Sequence, residues 1–374
     1  MSRIGLAMVG LGPASEPHLK ALADLAERVD LRWVVTRSAE RAAKFSGRID
    51  RDVSAEERRA LRAPTCATPT LGAPTQQAAT DRAPMYKVTT DIAAAINDPA
   101  VHAVLVLTPP GAHLDVARMA FAAGKHVLVE KPLELATARA QLLATEGRAA
   151  GVRVGVVLQH RFRSGSMALR DLLASGRLGK VQAGMVAVPW WRPQAYYDEP
   201  GRGTWARDGG GVLLTQAIHT LDLFRSLLEV RRVVAAHVTT TAVHRMETED
   251  FATALLELGG GAPGTLMATT AFFPGRPERI EVIGTLGSAV LEGASLRAAF
   301  LDGTTLEALS DARTGAGASI MDFDHGPHRD VIADFLDAVE GGRDPRVTAE
   351  EALATQRLID EILAKSAAAA APAP

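Results

Sequence analysis

Six apolar residues, Ile4 to Val9, run directly into Gly10-Leu11-Gly12-Pro13-Ala14-Ser15 and then into a helical pattern, and no other stretch limits the fold as strongly. A strand that ends on closely spaced glycines and opens a helix is the first turn of a βαβ unit. Small residues there let the backbone approach a pyrophosphate, and the helix N-terminus offers amide donors and a positive dipole end. Pro13, at the first helical position, contributes no donor, and Ser15 stands where the fingerprint expects Gly or Ala. A strand-to-helix turn without ligand would use the same residues, so the reading depends on the strands and helices downstream.

Downstream, β-branched runs alternate with helical segments. Leu31 to Thr36, Val101 to Thr108, His126 to Val129 and Val152 to Leu158 read as strands, and Gly111 to Gly124 and the stretch after Pro132 read as helices. This rhythm predicts a doubly wound parallel Rossmann sheet over residues 1–158. It is broken between 46 and 83, where Pro64, Pro69 and Pro74 punctuate a stretch without a sustained period, which reads as an insertion. Beyond Gln159 the texture changes. A helix from Met167 to Ala174, a strand from Val181 to Val188 and a helix from Gly211 to Leu228 enclose an aromatic loop, Trp190 to Trp205. Val233–Val243, Phe251–Leu258, Gly264–Phe273, Arg279–Gly284 and Ser288–Leu291 then come without intervening helices, which predicts an open, mostly antiparallel sheet. Two helices, Pro327–Val339 and Ala349–Lys365, close a C-terminal α/β domain over 159–366, leaving 367–374 as a disordered tail. Two domains suit a chain of 374 residues, longer than a single core usually supports.

The 41 basic and 43 acidic side chains nearly cancel, which argues against nucleic acid or an anionic membrane surface and for a small-molecule partner. No apolar run reaches the roughly 18 residues of a membrane span. The single cysteine, Cys66, excludes an intrachain disulfide and a cysteine-based metal cluster, and no metal is expected. The N-terminus leaves no room for a signal peptide, and a cytoplasmic protein is expected.

The end of the second strand bears on the cofactor. An acid at that point holds the ribose hydroxyls of NAD, and here the residues are Thr36-Arg37-Ser38. With no carboxylate to repel a 2′-phosphate, Arg37 can grip one through its planar fork while Ser38 donates a hydrogen bond, so NADP is favoured over NAD. Arg37 as a solvated strand-end residue stays open, and Glu40 is the one nearby acid that would restore NAD selectivity.

The run Gly124-Lys125-His126-Val127-Leu128-Val129-Glu130-Lys131-Pro132 resembles the Gfo/Idh/MocA oxidoreductases, with Glu130-Lys131-Pro132 similar to that family's catalytic-lysine motif. Thr108-Pro109-Pro110-Gly111-Ala112-His113 resembles its strand-end motif beside the cofactor, and Gly209-Gly210-Gly211 followed by His219 and Asp222 resembles its substrate-domain helix. The resemblance implies hydride exchange between a nicotinamide and an alcohol or ketone on a sugar, inositol or related polyol, in an enzyme whose open sheet serves a homodimer or homotetramer.

The chemistry agrees. Oxidising a carbinol requires removal of the hydroxyl proton, and a partly desolvated Lys131 can take it and return it. His219, four positions after Thr215 on one helix face, is the second catalytic candidate, and Asp222 is placed to fix its tautomer or to serve a structural bond. Thr215 departs from the Asp or Asn that the family frequently places there, and it cannot act as a carboxylate base. Gln216 is a candidate hydroxyl-binding group, as are Trp191, Arg192 and Tyr197 of the aromatic loop, with subunit packing as their alternative. Gln159 and Arg161, just past the last Rossmann strand, are cofactor candidates, with a domain-interface ion pair open for Arg161. Two other functions stay open: a non-catalytic nucleotide-binding sensor or scaffold, and a redox-assisted enzyme acting on glycosides.

Overall fold

The computed structural model describes residues 3–12, 14–43, 86–311 and 324–370. The insertion expected at 46–83 and residue Pro13 lie outside them.

Strand β1 (Ile4–Val9) is buried at all six positions, as a central strand covered on both faces must be. It pairs in parallel with β2 (Val29–Val35) on one side and β4 (Ala103–Val106) on the other. β3 (Lys87–Thr89), β5 (His126–Glu130) and β6 (Val154–Val157) complete a parallel sheet in the order β3-β2-β1-β4-β5-β6. The chain order reverses between β1 and β4, so the loops leaving their C-terminal ends diverge and open a crevice. Gly10 and Thr108 stand at that switch point.

The second sheet has eight strands: β7 (Val181–Pro189), β8 (Val230–Thr239), β9 (Phe251–Leu258), β10 (Pro263–Thr269), β11 (Arg279–Gly284), β12 (Gly287–Glu292), β13 (Ser295–Phe300) and β14 (Thr305–Ala308). Their order is β14-β13-β12-β11-β7-β10-β9-β8, antiparallel except for the parallel β7–β10 pair. Burial alternates along β9 and β13, the mark of a sheet covered on one face only. β13 and β14 prolong the meander beyond its expected end at Leu291, because turns at Gly293 and Gly303, both at positive φ, return the chain into the same sheet.

The last two helices belong to both halves. Gly326–Gly341 lies against the helix Ser15–Asp24, with Arg28 reaching Asp337 (2.6 Å) and Glu340 (3.0 Å). The connecting Val347 carbonyl accepts from Val156 N (3.0 Å) beside the outer Rossmann strand. Ala349–Ala370 then crosses to the second sheet, where Glu361 and Ser366 accept from the amides of Val233 and Val238 (2.8 and 2.9 Å) and so cover part of an edge strand. This helix continues to Ala370, into the segment expected as a tail from 367. Its run of alanines, the strongest helix formers, carries it on. None of the described helices is long and apolar enough to cross a membrane.

Candidate functional site

The glycine turn is built by close approach. Gly10 adopts φ +116°, and a Cβ there would lie 2.5 Å from the Leu107 carbonyl group, so only glycine lets β1 turn against the end of β4. Gly10 N donates to Val35 O (2.8 Å), tying the turn to β2. Ser15 opens the helix and donates from Oγ to Gly12 O (2.6 Å), and Ala14 is exposed beside it. Space over Gly12 is open.

At the end of β2, Thr36 is buried and Arg37 exposed. Ser38 Oγ accepts from Arg41 N (3.1 Å), an N-cap bond that starts a helical turn over 39–43. That turn brings Arg41 back over the glycine loop, where Nη1 donates to Leu11 O (3.4 Å). Arg41 was missed by sequence reasoning, although the cap Ser38 and its spacing of three signal it. Glu40 is exposed on the same turn.

Beyond the switch point, Pro109 and Pro110 lead into the helix His113–Ala122. His113 is fully buried, with Nε2 at 2.9 Å from Thr108 O and Nδ1 at 3.1 and 3.2 Å from the carbonyls of Pro132 and Leu133. It pins the β4 exit to the β5 exit from inside, and no face of it is open to a ligand. Burial keeps its imidazole below the usual histidine range. By contrast, Thr108 Oγ1 and Gln159 Oε1 are buried without a partner. An orphaned hydroxyl and an orphaned amide oxygen, at the exits of β4 and β6, suit a ligand's polar edge such as a nicotinamide carboxamide. With the open cradle at Gly12, they fit a bound dinucleotide.

Lys131 follows β5 directly. Its ammonium donates to the main-chain oxygen of Thr215 (2.9 Å), a bond between the two halves. Burial lowers its proton affinity; Glu130 and Asp208 oppose that, while Arg192 and Arg202 add to it. The Thr215 carbonyl is brought there by a wide π turn, Leu213–Ala217, at the head of the helix Ile218–Leu228. Gly211 makes room for that turn: a Cβ on it would sit 1.9 Å from Glu249 O, and the Glu249 carboxylate accepts from Gly211 N and Leu213 N (3.0 and 3.1 Å). The Thr215 hydroxyl is turned away from Lys131 and donates to Gly211 O (2.7 Å).

His219 stacks on His160, ring centroids 5.0 Å apart. Burial, reinforced by Lys131 and Arg163, holds its imidazole well below the usual range, so it is neutral at physiological pH. Its Nδ1 is buried without a partner. Asp222 does not reach it. That carboxylate holds Arg161 through two bonds (2.6 and 2.7 Å) and accepts from Thr355 (2.8 Å), while Arg161 also meets Glu351 (3.0 Å). Arg161, just past β6, thus ties that segment to the helices Ile218–Leu228 and Ala349–Ala370, its guanidinium spent on protein carboxylates.

The aromatic loop divides. Tyr197 turns into the domain, its hydroxyl 2.6 Å from Thr270 Oγ1. Arg192 is buried over Trp190, and Trp191 packs against Phe273 and His244. Tyr196, not singled out from sequence, faces the site instead: its hydroxyl accepts from Gln216 Nε2 (3.1 Å) and Arg202 Nη1 (2.7 Å).

Behind Lys131 lies a group that sequence reasoning also missed. Glu130 Oε2 accepts from Lys131 N (2.9 Å), and Oε1 accepts from His18 Nε2 (2.7 Å). His328 sits edge-on to His18, 5.2 Å between centroids. His18, Glu130 and His328 bring metal-ligand atom types within 4.8 Å of one another. The 2.7 Å contact is nevertheless a hydrogen bond, shorter than the about 3.3 Å that separates two ligands on one tetrahedral ion.

A parallel dinucleotide-type sheet with a glycine turn, and a partly buried lysine bridging to a second α/β domain, define a two-domain dinucleotide-binding oxidoreductase. Residues 4–158 match the family model described as an oxidoreductase family with an NAD-binding Rossmann fold, and residues 166–290 match the GFO/IDH/MocA C-terminal domain. Among curated relatives, the chain is 30% identical to a 1,5-anhydro-D-fructose reductase of Ensifer adhaerens over 71% of this chain and 77% of that protein. It is 29% identical to an uncharacterized oxidoreductase of Synechocystis, over 54% of this chain and only 57% of that one. Among solved structures, the WlbA dehydrogenase of Bordetella pertussis, in complex with NADH and UDP-GlcNAcA, superposes with a TM-score of 0.75 at 23% identity, covering 100% of this chain and 99% of that one. The chain belongs to the GFO/IDH/MocA family of oxidoreductases.

Proposed function

We propose that this enzyme interconverts an alcohol and a ketone on a sugar, inositol or related polyol, prefers NADP to NAD, and uses Lys131 as its acid/base. The observation that carries the reading is the Lys131 ammonium, desolvated at the exit of β5 and held 2.9 Å from the Thr215 carbonyl. A bound nicotinamide dinucleotide supplies the hydride acceptor in one direction and the donor in the other. As a neutral amine, Lys131 still donates one hydrogen to Thr215 O while its lone pair takes the substrate's hydroxyl proton; as an ammonium it returns that proton to the carbonyl oxygen. Neutral His219 donates or accepts a hydrogen bond without carrying charge. Gln216 and Tyr196 orient neighbouring hydroxyls, and the reductase name of the Ensifer relative supports a sugar-like substrate.

Because burial lowers the lysine's proton affinity, alcohol oxidation rises with pH through a midpoint below the ordinary lysine range, and ketone reduction falls through the same midpoint. Arg37, Ser38 and Arg41 favour a 2′-phosphate, with no carboxylate at the end of β2 to oppose it. Exposed Val234, Leu255 and Ile283 on the second sheet favour a homodimer or homotetramer, and the near-neutral charge suits a cytoplasmic protein free of nucleic acid.

Lys131→Met tests the assignment. The variant should keep the thermal shift produced by the dinucleotide and lose about 10²- to 10⁴-fold in kcat across a panel of polyols, the usual worth of a positioned acid/base. Unchanged turnover would remove the role.

A further inference from the structure

On the acid/base reading, Lys131 must hold its proton neither too tightly nor too loosely, and the groups that set this balance are spread over separate elements. On the cleft side, the loop 190–208 presents Arg192, Arg202 and Asp208 to Lys131. On the far side, Glu130 is approached by His18 from the helix Ser15–Asp24 and by His328 from the helix Gly326–Gly341. His113 lies on the helix next to β5, Arg163 and His160 follow β6, and His219 stacks on His160. Of all these, only Glu130 is a carboxylate adjacent in the chain to Lys131; its side chain is 13% exposed, and two hydrogen bonds hold its two oxygens. One comes from the amide of Lys131 itself, and the other from His18 Nε2 at 2.7 Å.

His18 is buried completely, and its Nδ1 has no partner. A buried polar side chain with one nitrogen orphaned is costly to keep on an apolar helix face, where Ala21 and Leu22 are its buried neighbours. What it gains in return is the bond to Glu130. An ionised carboxylate only accepts hydrogen bonds, so His18 donates from Nε2.

We propose that His18 is a positioning residue for the acid/base step: by donating from Nε2 to Glu130 it keeps that carboxylate ionised beneath Lys131, and so sets the pH at which Lys131 exchanges the hydroxyl proton. Without the bond, Glu130 Oε1 loses its histidine donor in a mostly desolvated position, and a carboxyl so placed takes up a proton more readily. The negative charge that helps Lys131 to keep its proton is then lost, and the lysine becomes neutral at lower pH. The inference rests on the acid/base reading for its consequence in catalysis, but the proton affinity itself is measurable without substrate or dinucleotide.

The experiment is competitive labelling of the full-length enzyme with trace acetic anhydride across pH, with acetylation of Lys131 quantified by peptide mass spectrometry. Only the neutral amine reacts, so the profile gives its titration midpoint. His18→Leu should lower the midpoint by about one pH unit, roughly a tenfold change in the neutral fraction at fixed pH. His18→Gln, which places an amide donor near the lost Nε2–H, should stay near the parent. Glu130→Gln should fall as His18→Leu does, and the double variant should fall no further, because both changes remove one charge. A merely structural histidine predicts lowered thermal stability in His18→Leu with an unmoved midpoint, and that result overturns the proposal, as does an additive double variant. If His18→Leu fails to fold, an unmoved midpoint in Glu130→Gln overturns it equally. A midpoint that obeys His18 while Lys131→Met keeps its turnover removes the acid/base reading alone.

Discussion

The cleft has two poles that handle charge in opposite ways. At the end of β2, Arg37 is exposed and Arg41 lies over the surface of the glycine turn, where solvent and salt screen each cation. At the end of β5, the histidines 18, 160, 219 and 328 are enclosed around the partly buried Lys131 and Glu130, and burial lowers the proton affinity of Lys131, His160, His219 and His328. The outer pole can discriminate ligands by adding attraction. The inner pole works by withholding solvation, and that has a cost in stability that depends on pH.

The sharpest way to expose this difference is acid. Burial holds His160 and His219 well below the usual histidine range and His328 down to about 3, whereas the unfolded chain protonates all three near pH 6.5. Folded-state affinities are depressed, so the neutral forms contribute stability that is present above pH 6.5 and is lost as pH falls below it. Between pH 7.5 and 5.5 each of the three should cost about 1.4 kcal/mol, roughly 4 kcal/mol together, read from urea unfolding midpoints. Glu249, whose carboxyl burial raises, offsets part of this. A flat profile over that interval would mean that the inner pole is wet.

The outer pole should respond to mutation rather than to pH. Arg37→Ala combined with Arg41→Ala should weaken NADP about tenfold or more, the worth of one charge-assisted bond to phosphate, and leave NAD nearly unchanged. The parent's preference should shrink as salt rises from 0.05 to about 0.5 M, because both cations are screened. Isothermal titration with the two dinucleotides checks this, and an equal loss for both would place the arginines on the shared pyrophosphate instead.

Legibility in the sequence divides along the same line. β1, β9 and β11 have the bounds expected from the sequence, and the glycine turn, the strand-end lysine and the meander are visible because each is a short-range pattern. Ser38 was legible as a residue type; Arg41 was one cap away from being so. The inner pole was not, because its bonds join distant segments: His18 to Glu130 across 112 positions, Arg161 to Asp222 across 61, Lys131 to Thr215 across 84. His18 left one signal, a histidine beside Ala21 and Leu22 on the buried face of the first helix. Tyr196 and Tyr197 are adjacent and chemically alike, and only the one-turn helix Gln194–Tyr197 decides that Tyr196 faces Gln216 while Tyr197 turns to Thr270.

Thr215 offers the smallest effect and the finest distinction. Spacing on one helix face puts its side chain with His219 in the cleft, yet the hydroxyl bonds Gly211 O within its own turn and only the main-chain oxygen meets Lys131. Thr215→Val keeps the branched shape and the carbonyl while removing the hydroxyl. Stability should fall by about 1 kcal/mol, the net worth of one neutral hydrogen bond, and kcat should stay within about threefold of the parent. The Lys131 labelling midpoint should not move, since the carbonyl that orients the amine is unchanged. A loss of kcat beyond tenfold at constant stability would show that the hydroxyl rotates toward substrate during turnover, and would return the side chain to the chemistry of the inner pole.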